Sequence, residues 1–197
     1  MPTIISHGVA AAALGTAFPR RTIPRWLIFV GIACSMAPDI DAFGLRSGIQ
    51  YGDLLGHRGI THSVLFAAIL ASVVFLCVLF TLAPCASRSF VWIYLFLATV
   101  SHGLLDAATD NAGLGIPFFW PLDNTRYFFP LTPIAMSPIG TDFFSTHGFS
   151  VMLSEFQWVW IPSLIFAILA ISVRWILTIR FASNHNDPLA SDAAKRD

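Results

Sequence analysis

Long apolar runs separated by short polar segments dominate the chain. Three runs, at 64–83, 90–100 and 157–179, contain few polar residues. A helix needs about 20 mainly apolar residues to cross a bilayer, so these runs predict the clearest membrane helices. Two shorter runs, at 3–18 and 26–37, predict a helical hairpin packed among them. The pattern therefore predicts an all-α, polytopic helical membrane protein with about five membrane-embedded helices, two of them short.

Composition agrees with a membrane environment. The 197-residue chain is 56% hydrophobic and 14% aromatic, with a mean hydropathy of +0.72. This is more apolar surface than a single soluble core can bury. Its net charge is zero and Lys195 is its one lysine, so there is no electrostatic footprint for nucleic-acid binding. Residues 1–181 are predicted to form one domain, and the polar residues 182–197 a disordered tail.

The three cysteines and the one glutamate allow two further predictions. The odd number of cysteines, Cys34, Cys77 and Cys85, favours buried thiols over a disulfide framework or zinc ligands. Glu155, the one glutamate, is interpreted as an acidic residue that stabilises the N-terminus of the last helix.

Imidazoles and carboxylates recur in four clusters within this apolar sequence. These groups bind Zn²⁺, Mn²⁺ or Fe²⁺ and are expensive to bury unpaired. Every cluster falls near a helix end, and the predicted helix order brings all four to one membrane face. The sequence therefore predicts a metal site with seven ligands: His7, Asp39, Asp41, His57, His62, His102 and Asp106.

Each cluster alone has a simpler interpretation. A proline–aspartate pair is common at helix ends, and Thr61 or Ser63 is a suitable helix cap. His102 and Asp106, at i and i+4, can simply hydrogen-bond each other, and a lone His7 is typical of a core histidine. The metal interpretation depends on the convergence of the four clusters on one face.

The string His-Arg-Gly-x-Thr-His-Ser at 57–63 is the most specific motif. With His7, Pro-Asp-x-Asp at 38–41, His-x-x-x-Asp at 102–106, and the Trp-Pro segment at 115–121 with its trailing arginine, it resembles the YdjM-like family of inner-membrane metal-dependent hydrolases. The resemblance covers about residues 1–135. It implies an inner (plasma) membrane location and a hydrolase distantly akin to zinc-dependent phospholipase C and the zinc single-strand nucleases.

The chemistry of these residue types suits phosphoester hydrolysis. Two divalent ions can clamp a phosphoryl oxygen and generate hydroxide near neutral pH. Seven ligands suffice for two or three ions, with zinc the first choice and manganese or iron the alternatives. Asp39 and Asp41 are the candidate catalytic carboxylates. Arg58 and Arg126 are candidates for gripping phosphate oxygens, with headgroup snorkelling as the equal alternative.

The predicted function is that of a phospholipase C-like phosphoesterase acting on a lipid or lipid-linked phosphate, with membrane lipids as its surroundings. Two alternatives stay open. A divalent-metal transporter would use the same ligands for cargo, but it favours ligands near the bilayer midplane. A non-catalytic protein would hold its metal in a coordinatively saturated site. The sequence does not predict an oligomeric state.

Positive charge is divided unequally between the two predicted membrane faces. The ligand face carries three arginines: Arg46, Arg58 and Arg126. The other face carries eight cations: Arg20, Arg21, Arg25, Arg88, Arg174, Arg180, Lys195 and Arg196. The positive-inside rule therefore predicts that the N-terminus and the metal site are extracytoplasmic and the C-terminus is cytoplasmic.

The segment 107–155 is too long for a simple connection. Its aromatic runs at 118–120 and 127–129 suit a membrane interface and an entry for a lipid substrate. Whether Asp110, Asp142 or His147 joins the metal site is left open.

Overall fold

The computed structural model describes residues 1–51, 53–82, 86–110, 114–138 and 143–185. These ranges contain two isolated β-bridges and no extended strand, which confirms the all-helical membrane fold. The helices are α1 (Ile4–Gly15), α2 (Arg25–Met36), α3 (Ala42–Arg46), α4 (Val64–Val78), α5 (Arg88–Ala107), α6 (Thr146–Glu155) and α7 (Ile161–His185).

Four helical segments of the described chain are long and apolar enough to cross a membrane. They are Arg25–Gly44, Val64–Thr81, Arg88–Ala107 and Thr146–Arg180, whereas α1 is apolar but shorter. The first of these is longer than the predicted short helix, because a 3-10 turn at Ala37–Asp41 continues α2 into α3. Pro38 is tolerated there since the first turn of a helix needs no backbone donor at that position.

The last membrane segment begins earlier than its apolar run indicates. The Ser145 hydroxyl accepts a hydrogen bond from the Gly148 amide and so caps α6. A π-helical turn at Phe156–Trp160 then joins α6 to α7 without a break. Part of the predicted 107–155 connection is therefore helical. Helix α7 continues through His185, and residues 186–197 of the predicted tail lie outside the described residues.

Helices α1, α2, α4 and α5 pack around a core of small and aromatic residues. Tyr94 of α5 is fully buried, and its hydroxyl donates to the carbonyls of Ala11 at 3.2 Å and Ile28 at 3.3 Å. A Cβ atom at Gly31 would overlap the Tyr94 ring, so this position requires glycine. The contact fixes α5, which carries His102 and Asp106, against the α1–α2 pair, whose α1 carries His7.

The outward faces of the helices are apolar, as expected of lipid-facing surfaces. Cys34 is buried as predicted, but Cys77 is exposed on α4, so the prediction of a buried thiol is wrong there. A membrane helix is apolar on every side, and hydropathy alone does not identify its buried face. Cys85 lies outside the described residues.

Candidate metal centre

Four predicted ligands meet at one end of the bundle: Asp39, His62, His102 and Asp106. One ligand atom from each lies within 4.8 Å of the others, and all four residues are buried. Asp39 lies on the 3-10 turn after α2, and His62 ends a second 3-10 turn directly before α4. The other two lie near the end of α5. Three separate chain segments therefore supply one cluster that can bind a metal ion.

The ligand atoms of this four-residue cluster face one another. The Nε2 atoms of His62 and His102 are 2.9 Å apart. His62 Nε2 lies 3.2 Å from Asp106 Oδ2, and His102 Nε2 lies 3.4 Å from Asp39 Oδ1. Each histidine thus directs the same ring nitrogen toward the carboxylates, as metal-ligating histidines do.

The other nitrogen of each ring is held by a partner outside the cluster. His102 Nδ1 donates to the Ser35 carbonyl at 2.7 Å, which leaves a lone pair on Nε2 of the neutral ring. His62 Nδ1 lies 3.3 Å from Asp41 Oδ2. Such a carbonyl or carboxylate partner fixes the tautomer and orientation of a ligating histidine.

Asp41 and His57 lie beside the cluster rather than within it. Asp41 Oδ1 is 2.6 Å from His57 Nδ1, and its Oδ2 contacts His62 and accepts from the Thr61 hydroxyl. The Tyr51 ring packs edge-on against His57 with ring centroids 5.2 Å apart, and burial raises the pKa of Tyr51 to about 12. Asp41 therefore has both oxygens engaged by side chains that surround the centre.

The electrostatic field at His62 favours positive charge. Burial opposes the charged imidazole, but the hydrogen bonds and charges of Asp106 and Asp41 outweigh it and raise the pKa of His62 to about 9. The carboxylates of Asp106 and Asp41 would attract a divalent cation at this position in the same way.

His7 joins the centre from α1. Its ring stacks on His102 with centroids 3.8 Å apart, and its Nε2 lies 3.7 Å from Asp106 Oδ1. Within the described chain, both nitrogens of His7 and all carboxylate oxygens of Asp39 and Asp106 lack a well-aligned hydrogen bond, and the two carboxylates have only the ion-pair contacts with histidines and Arg58. Buried polar groups are rarely left unsatisfied, and these donors match the ligand preferences of Zn²⁺, Mn²⁺ and Fe²⁺. The residues therefore fit a divalent metal ion.

The two arginines predicted to grip phosphate lie next to each other. Arg58 is fully buried in a left-handed conformation with φ of 64°, and its Nε lies 3.2 Å from Asp106 Oδ2. Headgroup snorkelling does not describe so buried a side chain. Arg126 Nη1 donates to the carbonyls of Arg58 at 3.1 Å and Gly115 at 3.2 Å. Arg126 thus braces the segment that carries Arg58.

The remaining candidates lie elsewhere. His147 is exposed on α6 and Asp110 is exposed after α5, both outside the four-residue cluster, and Asp142 lies outside the described residues. The interpretation of Glu155 is wrong, because this residue ends α6 instead of beginning a helix. Its buried carboxylate accepts from the Thr3 amide at 2.6 Å and from the hydroxyls of Thr3 and Ser6. The sequence signal for a buried, hydrogen-bonded carboxylate was that Glu155 is a lone acidic residue next to an apolar segment.

The fold and the cluster define a polytopic helical membrane protein with a candidate metal centre at one membrane end. The chain belongs to the YdjM family, since the family described as "YdjM inner membrane protein" matches residues 1–181. It is also 35% identical over 172 residues to the inner membrane protein YbcI of Escherichia coli (strain K12), covering 84% of this chain and 94% of that protein. No solved structure matches the chain. The family resemblance inferred from the motifs is confirmed.

Proposed function

We propose that this protein is a membrane-embedded, metal-dependent hydrolase that cleaves a phosphoester in a lipid or lipid-linked phosphate. The observation that carries the proposal is the buried cluster of two histidines and two carboxylates with ligand atoms within 4.8 Å of one another. Burying these groups is costly unless an ion or a partner satisfies them, and such costs are typical of functional sites in membranes.

The metal would be held by Asp39, His62, His102 and Asp106, with His7 stacked beside them. Asp41 and His57 engage each other beside this set, so we assign them to orienting the centre. Zinc is the first choice of ion, with manganese or iron as alternatives. A bound divalent ion supplies a Lewis acid and lowers the pKa of a water molecule, which is the chemistry that phosphoester hydrolysis needs.

The protein side chains orient and balance this centre. Asp41 and the Ser35 carbonyl hold the imidazoles of His62 and His102, so the same nitrogen of each ring faces the carboxylates. Arg58 offsets part of the negative charge of Asp106. Arg58 Nη2 has no hydrogen-bond partner within the described residues, which supports a contact with an anionic substrate oxygen.

An aromatic segment near the centre supports a lipid substrate. The Phe118 carbonyl accepts from the Val64 amide at 3.0 Å, which joins this segment to the start of α4, two residues after His62. Phe119 and Phe128 are exposed, and aromatic side chains favour the membrane–water interface. We further propose the orientation that the charge distribution predicts, with the metal centre extracytoplasmic and the C-terminus cytoplasmic.

A structural metal site is the second candidate, and one observation favours it. The four cluster residues are at most 9% exposed, and a closed site is typical of a metal that only stabilises a fold. A transporter has less support, because the ligands crowd one end of the bundle.

The experiment uses purified, metal-loaded protein in detergent with phospholipid and soluble phosphoester substrates. We expect hydrolysis that a chelator abolishes, and Asp39→Asn should reduce turnover by at least about 100-fold through loss of metal charge control. His147→Ala, an exposed residue outside the cluster, is the control and should retain full activity. Metal-loaded protein without hydrolysis would favour the structural site, and metal flux into proteoliposomes without hydrolysis would favour the transporter.

A further inference from the structure

The end of the bundle opposite the metal centre contains a basic cleft. Two adjoining cavities of about 390 and 550 Å³ lie between the α1–α2 connection and α7. Arg20, Ile171 and Arg174 line both, while Arg25 lines the first and Arg21 the second. None of the described residues that line these cavities is acidic. Four guanidinium groups therefore surround one recess.

No carboxylate among the described residues neutralises the positive charge of this cleft. Within the described chain, none of the four arginines forms an ion pair with a carboxylate. Arg174 is anchored instead, because its Nη1 donates to the carbonyls of Thr16 at 2.6 Å and Phe18 at 2.8 Å. This anchoring holds one guanidinium in a fixed position, while Arg20 and Arg25 are exposed. A recess lined by uncompensated charges of one sign attracts a ligand of the opposite sign.

A third cavity gives the cleft an apolar extension. It has a volume of about 400 Å³, shares Thr16 with the first basic cavity, and follows α1 and α7 from there. Its walls include Val9, Ala13, Leu164 and Ala167, and they are almost entirely apolar. Helix α7 belongs to a candidate membrane span and α1 is a shorter apolar helix, which favours a groove that opens toward lipid rather than water.

We propose that the cleft binds an anionic phospholipid, with the headgroup phosphate among the four arginines and one acyl chain in the apolar groove. The guanidinium fork matches phosphate oxygens, and basic pockets between membrane helices bind anionic headgroups. A free phosphate ion would use the arginines but leave the groove unused. The continuity of the basic and apolar cavities therefore favours a lipid over an inorganic anion. The site does not depend on the proposed hydrolase activity, because His7 and Thr16 lie at opposite ends of α1, about 14 Å apart by helical rise.

The test measures lipid binding to the full chain, purified without phospholipid in detergent, by native mass spectrometry. The probes are dioleoyl phosphatidylglycerol, dioleoyl phosphatidylcholine and inorganic phosphate. We expect the anionic lipid to bind at least about tenfold more tightly than the zwitterionic one. The double variant Arg20→Gln with Arg25→Gln should bind the anionic lipid about tenfold more weakly than the wild type. The matched control, Arg88→Gln with Arg180→Gln, removes two charges outside both basic cavities and should change binding by less than about threefold.

A second variant separates a lipid from a free anion. Ala167→Phe fills part of the apolar groove and leaves all four arginines in place. This variant should bind phosphatidylglycerol more weakly and should bind inorganic phosphate as the wild type does. Equal binding of the two lipids, or equal losses in the two double variants, would overturn the proposal. Full competition by inorganic phosphate, together with unchanged lipid binding by Ala167→Phe, would show an anion site instead.

Discussion

Asp41 contacts two histidines at once, and this geometry gives it a different task from Asp39. Its oxygens engage the Nδ1 atoms of His57 and His62, and in His62 this is the ring nitrogen that points away from the four-residue cluster. Asp39, by contrast, has no hydrogen-bond partner within the described chain and faces His102 Nε2. We infer that Asp41 orients His62, while Asp39 is available as a metal ligand.

Asp41→Asn should therefore weaken metal binding without removing the site. An amide keeps the shape of the side chain but loses the charge that fixes the His62 tautomer, and such changes cost about 10–100-fold in metal affinity. Competition titration with a chromophoric chelator measures this affinity. Asp123→Asn, a carboxylate that accepts from Tyr127 far from the cluster in sequence, is the control. Unchanged affinity in Asp41→Asn would contradict the orienting role.

The ligand types were predictable from the sequence, but their partners were not. Four histidine and aspartate residues that the motifs singled out meet in one cluster, because the helix ends that carry them lie at one end of the bundle. The Ser35 carbonyl carries no sequence signal, since every residue has one. The burial of Arg58 also depends on the fold, because its left-handed backbone turns the side chain inward to Asp106.

At the scale of helices, the junction of α6 with α7 connects distant parts of the chain. Glu155 ends α6 and accepts three hydrogen bonds from Thr3 and Ser6 at the start of α1. Trp160, at the end of the π-helical turn, donates to the Ser6 hydroxyl at 2.8 Å. This network attaches the last membrane segment to the helix that carries His7.

Glu155→Gln should destabilise the protein by about 1–3 kcal/mol, because the new amide group meets hydroxyl and amide donors that need an acceptor. Thermal unfolding in detergent measures the loss. Gln157→Ala, two residues away and exposed, is the matched control and should change stability by less than about 0.5 kcal/mol. Equal stability of Glu155→Gln and the wild type would show that the buried network does not hold α1 in place.

Hydropathy predicted that the membrane helices exist, but it misplaced two of their ends. The 3-10 turn with Pro38 keeps the chain helical where proline and aspartate predict a stop. At the other misplaced end, α6 begins at Thr146 within the polar segment, because Ser145 caps it. Polar residues at a capped helix start resemble loop residues in sequence, so hydropathy alone does not separate them.

Across the whole molecule, the two ends of the bundle differ in charge. The metal end contains buried carboxylates and histidines, and the opposite end contains the arginine cleft. This asymmetry is the basis for the proposed orientation, since cationic residues concentrate on the cytoplasmic side of inner-membrane proteins.

Cysteine labelling tests this orientation. Single cysteines at Thr22 and Thr125, in a chain whose native Cys34, Cys77 and Cys85 are replaced, should react with an impermeant maleimide from opposite faces. Thr125 should be labelled in intact spheroplasts, and Thr22 only after the membrane is opened. Labelling of both positions from one face would refute the proposed topology.

The metal content of the purified protein is the most direct measurement of the central claim, that the four-residue cluster binds a divalent ion. Elemental analysis by plasma mass spectrometry should find at least one equivalent of zinc, manganese or iron per chain. His62→Ala, His102→Ala and Asp106→Ala should each lose at least one equivalent, because each removes a ligand from the cluster. His147→Ala should retain the full content. Wild-type protein without bound metal after growth in metal-supplemented medium, or unchanged content in all three cluster variants, would contradict the metal centre.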